Sequence, residues 1–220
     1  EVYIAPGAVL NARLVVTTPG ARVHGRGLLL DPFSDIFRFD QTKTSRRLVL
    51  NVAADGATVE DVKLIDARAY NFGTWAKNIT LRNVKALSSM MCSDGITAGS
   101  EGLLVDGAWL YVGDNALVIS GLKDSVFRDI AIGTSCKAVF PQSGNTGIRL
   151  EEIDVFRADE GLVCNVYNTG TTERSQSFSF RNLSGVDCTL FPRFFTGANM
   201  GTLPKTFAFE NVCIPQATGA

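Results

Sequence analysis

The chain has a single histidine, His24, among 220 residues, and a charge that nearly cancels, with 21 Lys and Arg against 22 Asp and Glu. His24 lies in a strand-like run between glycine-rich neighbours, which reads as a packed or surface histidine. A Ser-His-Asp mechanism therefore has little to draw on. A net charge of −1 offers no basic surface, so nucleic acid and anionic membrane are not expected partners. No apolar run approaches the roughly 20 residues needed to span a bilayer. Cysteines stand at positions 92, 136, 164, 188 and 213, an odd number with no C-x-x-C pair, which argues against a zinc site and a disulfide framework. They read as small buried apolar residues. No Asp and Glu cluster has calcium-loop spacing, so no metal or cofactor is expected. The first residues lack an initiator Met and a basic-then-apolar leader, which reads as a mature or excised segment with possible further domains on the same chain.

Also missing is any window with a convincing amphipathic helix. What stands in its place is a repeat. A phrase of one apolar residue, two mostly polar residues and one apolar residue begins at Val59, Leu81, Val105, Phe127, Leu150, Phe180 and Phe209, in steps of 22, 24, 22, 23, 30 and 29 residues. Around it apolar residues alternate, as in Ile79 and Leu81 or Phe178 and Phe180, the period-2 signature of strands. Gly, Asn, Asp and Ser fill the spaces between, as turns require. Short strands, tight turns and a period near 22 predict an all-β, parallel β-solenoid, each coil giving about three strands that stack at roughly 4.8 Å. Asn83, Asp129, Asn182 and Asn211, at the third position of the phrase, read as a hydrogen-bonded corner ladder.

Residues 1–50 are less regular. Residues 32–47, with Phe33, Phe37 and Phe39, read as an insert over the groove. Longer repeats near the end place loops at 169–177 and 194–204, where Arg174, Arg193 and Lys205 could border a binding site. Asn78 and Asn182 each open a glycosylation triplet, a pattern common by chance.

A second phrase carries the chemistry. Ser93-Asp94-Gly95-Ile96, Asp114-Asn115-Ala116-Leu117, Cys136-Lys137-Ala138-Val139 and Asp159-Glu160-Gly161-Leu162 align on their small residues, putting Asp94, Asn115, Lys137 and Glu160 into one polar column. Stacking would bring Asp94 and Asp114 within a few ångströms. Two carboxylates so close cannot both ionise freely, which supplies the protonated acid and ionised partner that glycoside hydrolysis needs. Corner-capping aspartates are the structural alternative. Lys137 continues the column and Arg157 with Asp159 lies one coil beyond, suited to bonding sugar hydroxyls, although a salt bridge from Lys137 to Glu160 or Asp114 is an equal reading. Tyr70, Phe72 and Trp75 could form a stacking platform for a sugar ring, whereas Trp109 follows an inward alternation and reads as core.

The stretches Val2 to Ala8 and Val23 to Leu29, with the phrases around Asp94 and Gly113-Asp114-Asn115, resemble the polygalacturonases and, more closely, the dextranase and isopullulanase family. That resemblance implies a right-handed, single-stranded parallel β-helix of the pectin-lyase type, an inverting glycosidase, and an extracellular or periplasmic address. It implies Asp114 as general acid and Asp94 as helper of the attacking water. The families usually carry two adjacent aspartates where this chain has Asp114-Asn115, and an Asn orients water without accepting its proton. Thr97 stands where a Glu is usual, and the Gly-His-Gly and Arg-x-Lys signatures that grip acidic sugars are missing after Asn115. The expected partner is therefore a neutral polysaccharide or oligosaccharide. A β-helix that binds glycans without cleaving them, and a purely structural solenoid, are the alternatives.

Overall fold

A computed structural model of the chain describes residues 1–31, 48–142, 144–161, 165–166, 176–186, 188, 195–196 and 205–213. Within them the chain is all-β, without a helix, and every strand pairing is parallel. The insert at 32–47 and the loops around Arg174 and Arg193 lie outside the described residues, as does the side chain of Lys205.

One long sheet runs in the order Val2–Tyr3, Arg22–His24, Thr58–Glu60, Thr80–Ser88, Leu104–Val112, Lys123–Thr134, Thr146–Ala158, Gln176–Gly185 and Lys205–Cys213. The strands Val9–Asn11, Leu28–Leu30 and Lys63–Ile65 join it beside this path. A shorter sheet runs from Val139–Pro141 through Leu117–Ile119, Ile96–Ala98, Tyr70–Thr74 and Leu48–Val52 to Leu14–Val16. Each strand thus pairs with the equivalent strand of the next repeat, an arrangement consistent with a parallel β-helix.

The four-residue phrase explains why the long strands bend where they do. Its first residues Val59, Leu81, Val105, Phe127, Leu150 and Phe180 and its fourth residues Val62, Val84, Ala108, Ile130, Ile153 and Leu183 all belong to one buried core. Two inward residues three apart break a strict alternation, and the third residue absorbs the break by turning left-handed. Asp61, Asn83, Asp129, Glu152, Asn182 and Asn211 have φ between 47° and 62°, and Gly107 has φ 77°. Asn and Asp are the non-glycine types that tolerate this region best. Part of the expected ladder forms, with Asn83 Nδ2 donating to Asp61 Oδ1 at 2.6 Å and Asn211 Nδ2 to Asn182 Oδ1 at 3.0 Å, while Gly107, which has no side chain, interrupts it between Asn83 and Asp129.

The second residue of the phrase points outward and alternates in sign along the sheet. Arg82 contacts Glu60 at 3.0 Å and Asp106 at 3.8 Å, Arg128 contacts Asp106 at 2.8 Å, and Arg181 contacts Glu151 at 3.2 Å. Opposite charges on neighbouring parallel strands favour this register over any shift by one repeat.

The left-handed residue also corrects the reading of Trp109. Counting by twos through Val105 carries Trp109 inward, but Gly107 resets the phase, so Ala108, Leu110 and Val112 are buried and Trp109 is 38% exposed. The cysteines likewise depart from the expectation of burial. Only Cys188 of those described is buried, Cys92 and Cys136 are half-buried, Cys213 is exposed, and no disulfide forms among them.

Candidate active site

The polar column exists. Gly95 N donates to Asn115 O at 2.9 Å, Ala116 N to Lys137 O at 2.9 Å, and Ala138 N to Gly161 O at 3.4 Å. Asp94, Asn115 and Lys137 therefore stack one above another, just ahead of the short-sheet strands in register at Ile96, Leu117 and Val139, and Glu160 joins them through its side chain, 2.6 Å from Lys137 Nζ. The small residue of the phrase is demanded by this closeness, since a Cβ on Gly95 would sit 2.4 Å from Ala116 O. Ser93 ties the preceding turns together: its hydroxyl donates to Met90 O at 2.6 Å and accepts from Gly113 N at 2.9 Å.

Asp94 and Asp114 come together around Asn115. The backbone N–H of Asn115 reaches Asp114 Oδ1 at 2.9 Å and Asp94 Oδ1 at 3.2 Å. Its side-chain Nδ2 reaches the same two oxygens at 2.8 and 3.2 Å. Two oxygens sharing one nitrogen at those lengths are at most about 6 Å apart. Asp94 is 6% exposed and Asn115 9%, while Asp114 is half-buried. Thr134 Oγ1 donates to the carbonyl of Asp114 and accepts from Cys136 N at 3.0 Å, fixing the turn that carries the outer carboxylate.

Cys136 belongs to this cluster, which the spacing of the phrase alone did not single out. Its thiol lies 3.4 Å from Asn115 Oδ1 and 3.4 Å from Lys137 Nζ. Burial pushes the thiol up to about 11, with Lys137 pulling it down and Asp114 and Glu160 pushing it further up. Neutral at physiological pH, it acts as a weak donor to Asn115 and keeps that amide's Nδ2 turned to the carboxylates. Burial likewise raises the Cys92 thiol, helped by Asp114 and Asp94.

Lys137 makes a salt bridge, its Nζ meeting Glu160 Oε2 at 2.6 Å and lying 5.4 Å over the Phe140 ring. Burial lowers the Lys137 pKa, but the hydrogen bonds to Glu160 and Cys136 outweigh it and leave it raised. Arg157 and Asp159 grip each other through two bonds of 2.9 and 2.8 Å, and Arg157 Nη1 donates to Tyr111 Oη at 3.3 Å. The hydrogen bond from Arg157 holds the Asp159 carboxyl below its ordinary value.

The expected sugar platform is not one surface. Phe72 is fully buried in the core, whereas Tyr70 and Trp75 are half-buried at opposite ends of the Tyr70–Thr74 strand. Tyr70 shares the backbone level of Asp94, since Asn71 N donates to Asp94 O at 2.9 Å. Trp75 covers Gly73 and Gly99, where any Cβ would meet its ring at 2.9 and 3.2 Å. Thr97 is 4% exposed on the neighbouring strand. His24 sits apart from the cluster, its Nε2 2.7 Å from Glu1 Oε1 and its ring 5.1 Å from that of Tyr3. A cavity of about 420 Å³ between Asp124, Gly147, Phe178 and Ala208 shares no residue with the acid pair.

Comparison with protein-family models finds no match, and comparison with curated proteins finds none either.

Proposed function

We propose that this chain is a right-handed, single-stranded parallel β-helix that hydrolyses glycosidic bonds in a neutral polysaccharide or oligosaccharide outside the cytoplasm, without a cofactor. The single observation that carries the reading is the convergence of Asp94 Oδ1 and Asp114 Oδ1 on the two N–H groups of Asn115. The winding rests on the repeat-to-repeat pairing of both sheets, and its hand on the sequence resemblance.

In this reading Asp114, the more accessible carboxyl, protonates the leaving oxygen, and Asp94 receives a proton from the attacking water. A separation of at most about 6 Å is shorter than the roughly 6.5–9.5 Å usual for inverting pairs. Asp94 is 6% exposed and held by Asn115, and the inverting outcome rests on the sequence resemblance, as the hand of the coil does. Asn115 orients the attacking water but takes no proton, leaving Asp94 as sole base.

Reducing-end release from a panel of neutral glucans and galactans tests this. Wild type is expected to release ends, and Asp114→Asn to be slower by a factor of about 10²–10⁴, the usual worth of general acid catalysis. Equal rates, or no release by wild type, would end the hydrolase reading. A second reading, a glycan-binding β-helix without cleavage, draws on the same amide. Asn115 bridges both carboxylates with donated protons and replaces a base by a spectator.

A further inference from the structure

Trp109 and Tyr111 on the Leu104–Val112 strand and Phe156 on the Thr146–Ala158 strand face outward together, with Trp109 and Phe156 38% and 39% exposed. Their ring centroids are 6.2, 6.3 and 6.2 Å apart pairwise, and the planes lie within 20° of parallel. Three rings piled in one column would place the outer two about 7 Å apart or more, twice the van der Waals spacing. At 6.3 Å at most, the three rings do not stand in a single column. Space for them is reserved by Gly133, where a Cβ would lie 2.3 Å from the Phe156 ring and 2.7 Å from that of Tyr111. A register shift at Ile132 and Gly133 leaves Phe156 as the extra outward residue that fills this space.

We infer that this aromatic platform is a carbohydrate-stacking subsite for the flat C–H faces of neutral pyranose rings. Exposed apolar patches with a polar rim mark binding surfaces, and aromatic rings suit ligands with one apolar face and wet edges. The rim here is the bidentate Arg157–Asp159 pair together with the Tyr111 hydroxyl that Arg157 holds. Its charges cancel, which fits an uncharged sugar better than a uronate. Continuity with the candidate active site adds direction: Tyr111 precedes Asp114 by three residues on the same run of chain. A glycan lying on the platform leads toward the acid pair. The inference rests on the glycan reading above, and replaces Tyr70, Phe72 and Trp75 as the stacking surface.

Native electrophoresis through gels cast with dextran, soluble starch, hydroxyethylcellulose or galactan tests the platform, alongside reducing-end release by the same proteins. Wild type is expected to be retarded in at least one gel. Trp109→Ala and Phe156→Ala should bind that polysaccharide at least tenfold more weakly, and so should Gly133→Ala, which keeps every ring but forces two apart. Circular dichroism checks that strand content is kept. Retardation without release would sink the hydrolase reading and leave the platform standing. Release with variants migrating as wild type would sink the platform alone. The platform is also overturned if wild type passes every gel unretarded, or if light scattering shows a dimer that Trp109→Ala dissolves, since the occupant is then a second copy.

Discussion

At Asn115 one amide holds two carboxyl groups together, and that makes a sharp prediction. Asn115→Asp replaces the donated proton with a third carboxylate beside Asp94 Oδ1 and Asp114 Oδ1, so the new group's pKa rises above the ordinary aspartate value. A group raised in the folded state destabilises at higher pH and ceases to do so as pH falls through its folded pKa. The variant is therefore expected to melt below wild type at pH 7 and to close the gap near pH 4, followed by circular dichroism. If the introduced carboxylate instead serves as a second base, reducing-end release rises with it. Cys136 offers an independent probe. With its thiol pushed up to about 11, iodoacetamide at pH 8 should label it far more slowly than the exposed Cys213, as read by peptide mass spectrometry. Asp114→Asn removes one of the groups that push the thiol up, so labelling at pH 9 should quicken; unchanged labelling would separate Asp114 from the thiol.

Much of this cluster was legible because the small residues of the phrase mark the stacking level, and stacking needs them small: Gly95 touches the Ala116 carbonyl. Asp94, Asn115, Lys137 and Glu160 could be aligned by eye for that reason. Cys136 and Thr134 were not, because their roles come from side-chain direction within a turn. Trp109 was misread for a different cause, the phase shift at Gly107, which a count by twos does not see. Phe156 depends on a bulge that leaves no mark in composition.

At the scale of the strand, the left-handed corner sets the bend, and its side chains were readable from the recurrent Asn and Asp. Asn83→Ala should cost about 1–2 kcal/mol in urea unfolding, from the unfavourable φ together with the lost bond to Asp61. Asn83→Gly, free of the steric cost, should lose less. An equal loss in both would assign the effect to the hydrogen bond alone. The outward charge ladder was not anticipated, since Glu60, Arg82, Asp106, Arg128 and Glu151 look unremarkable until the register pairs them. The hydrogen bond from Arg128 holds the Asp106 carboxyl below its ordinary 3.8. A carboxyl lowered in the folded state adds stability above its unfolded pKa and loses it as pH falls through the folded one. Arg128→Met should therefore lower the melting temperature slightly at pH 7 and not at all near pH 2, within the small range of surface ion pairs. A gap that persists at pH 2 would point to lost packing of the arginine stem.

At the scale of the whole molecule, each strand of the two main sheets pairs, among the described residues, with its equivalents in neighbouring repeats. The period near 22 and the alternating apolar residues were enough to foresee parallel all-β pairing, because only equivalent positions of successive repeats satisfy both signals. The closeness of Asp94 and Asp114 around Asn115 was readable from the repeat, and the grouping of Trp109, Tyr111 and Phe156 was not. The account depends on water reaching Asp94 while the sugar reaches Asp114. Proton NMR of the anomeric signal in the first product formed from a neutral oligosaccharide tests this most directly: the account predicts the configuration opposite to that of the bond cleaved. A product that keeps the original configuration, or no product from any neutral glycan offered, would contradict it.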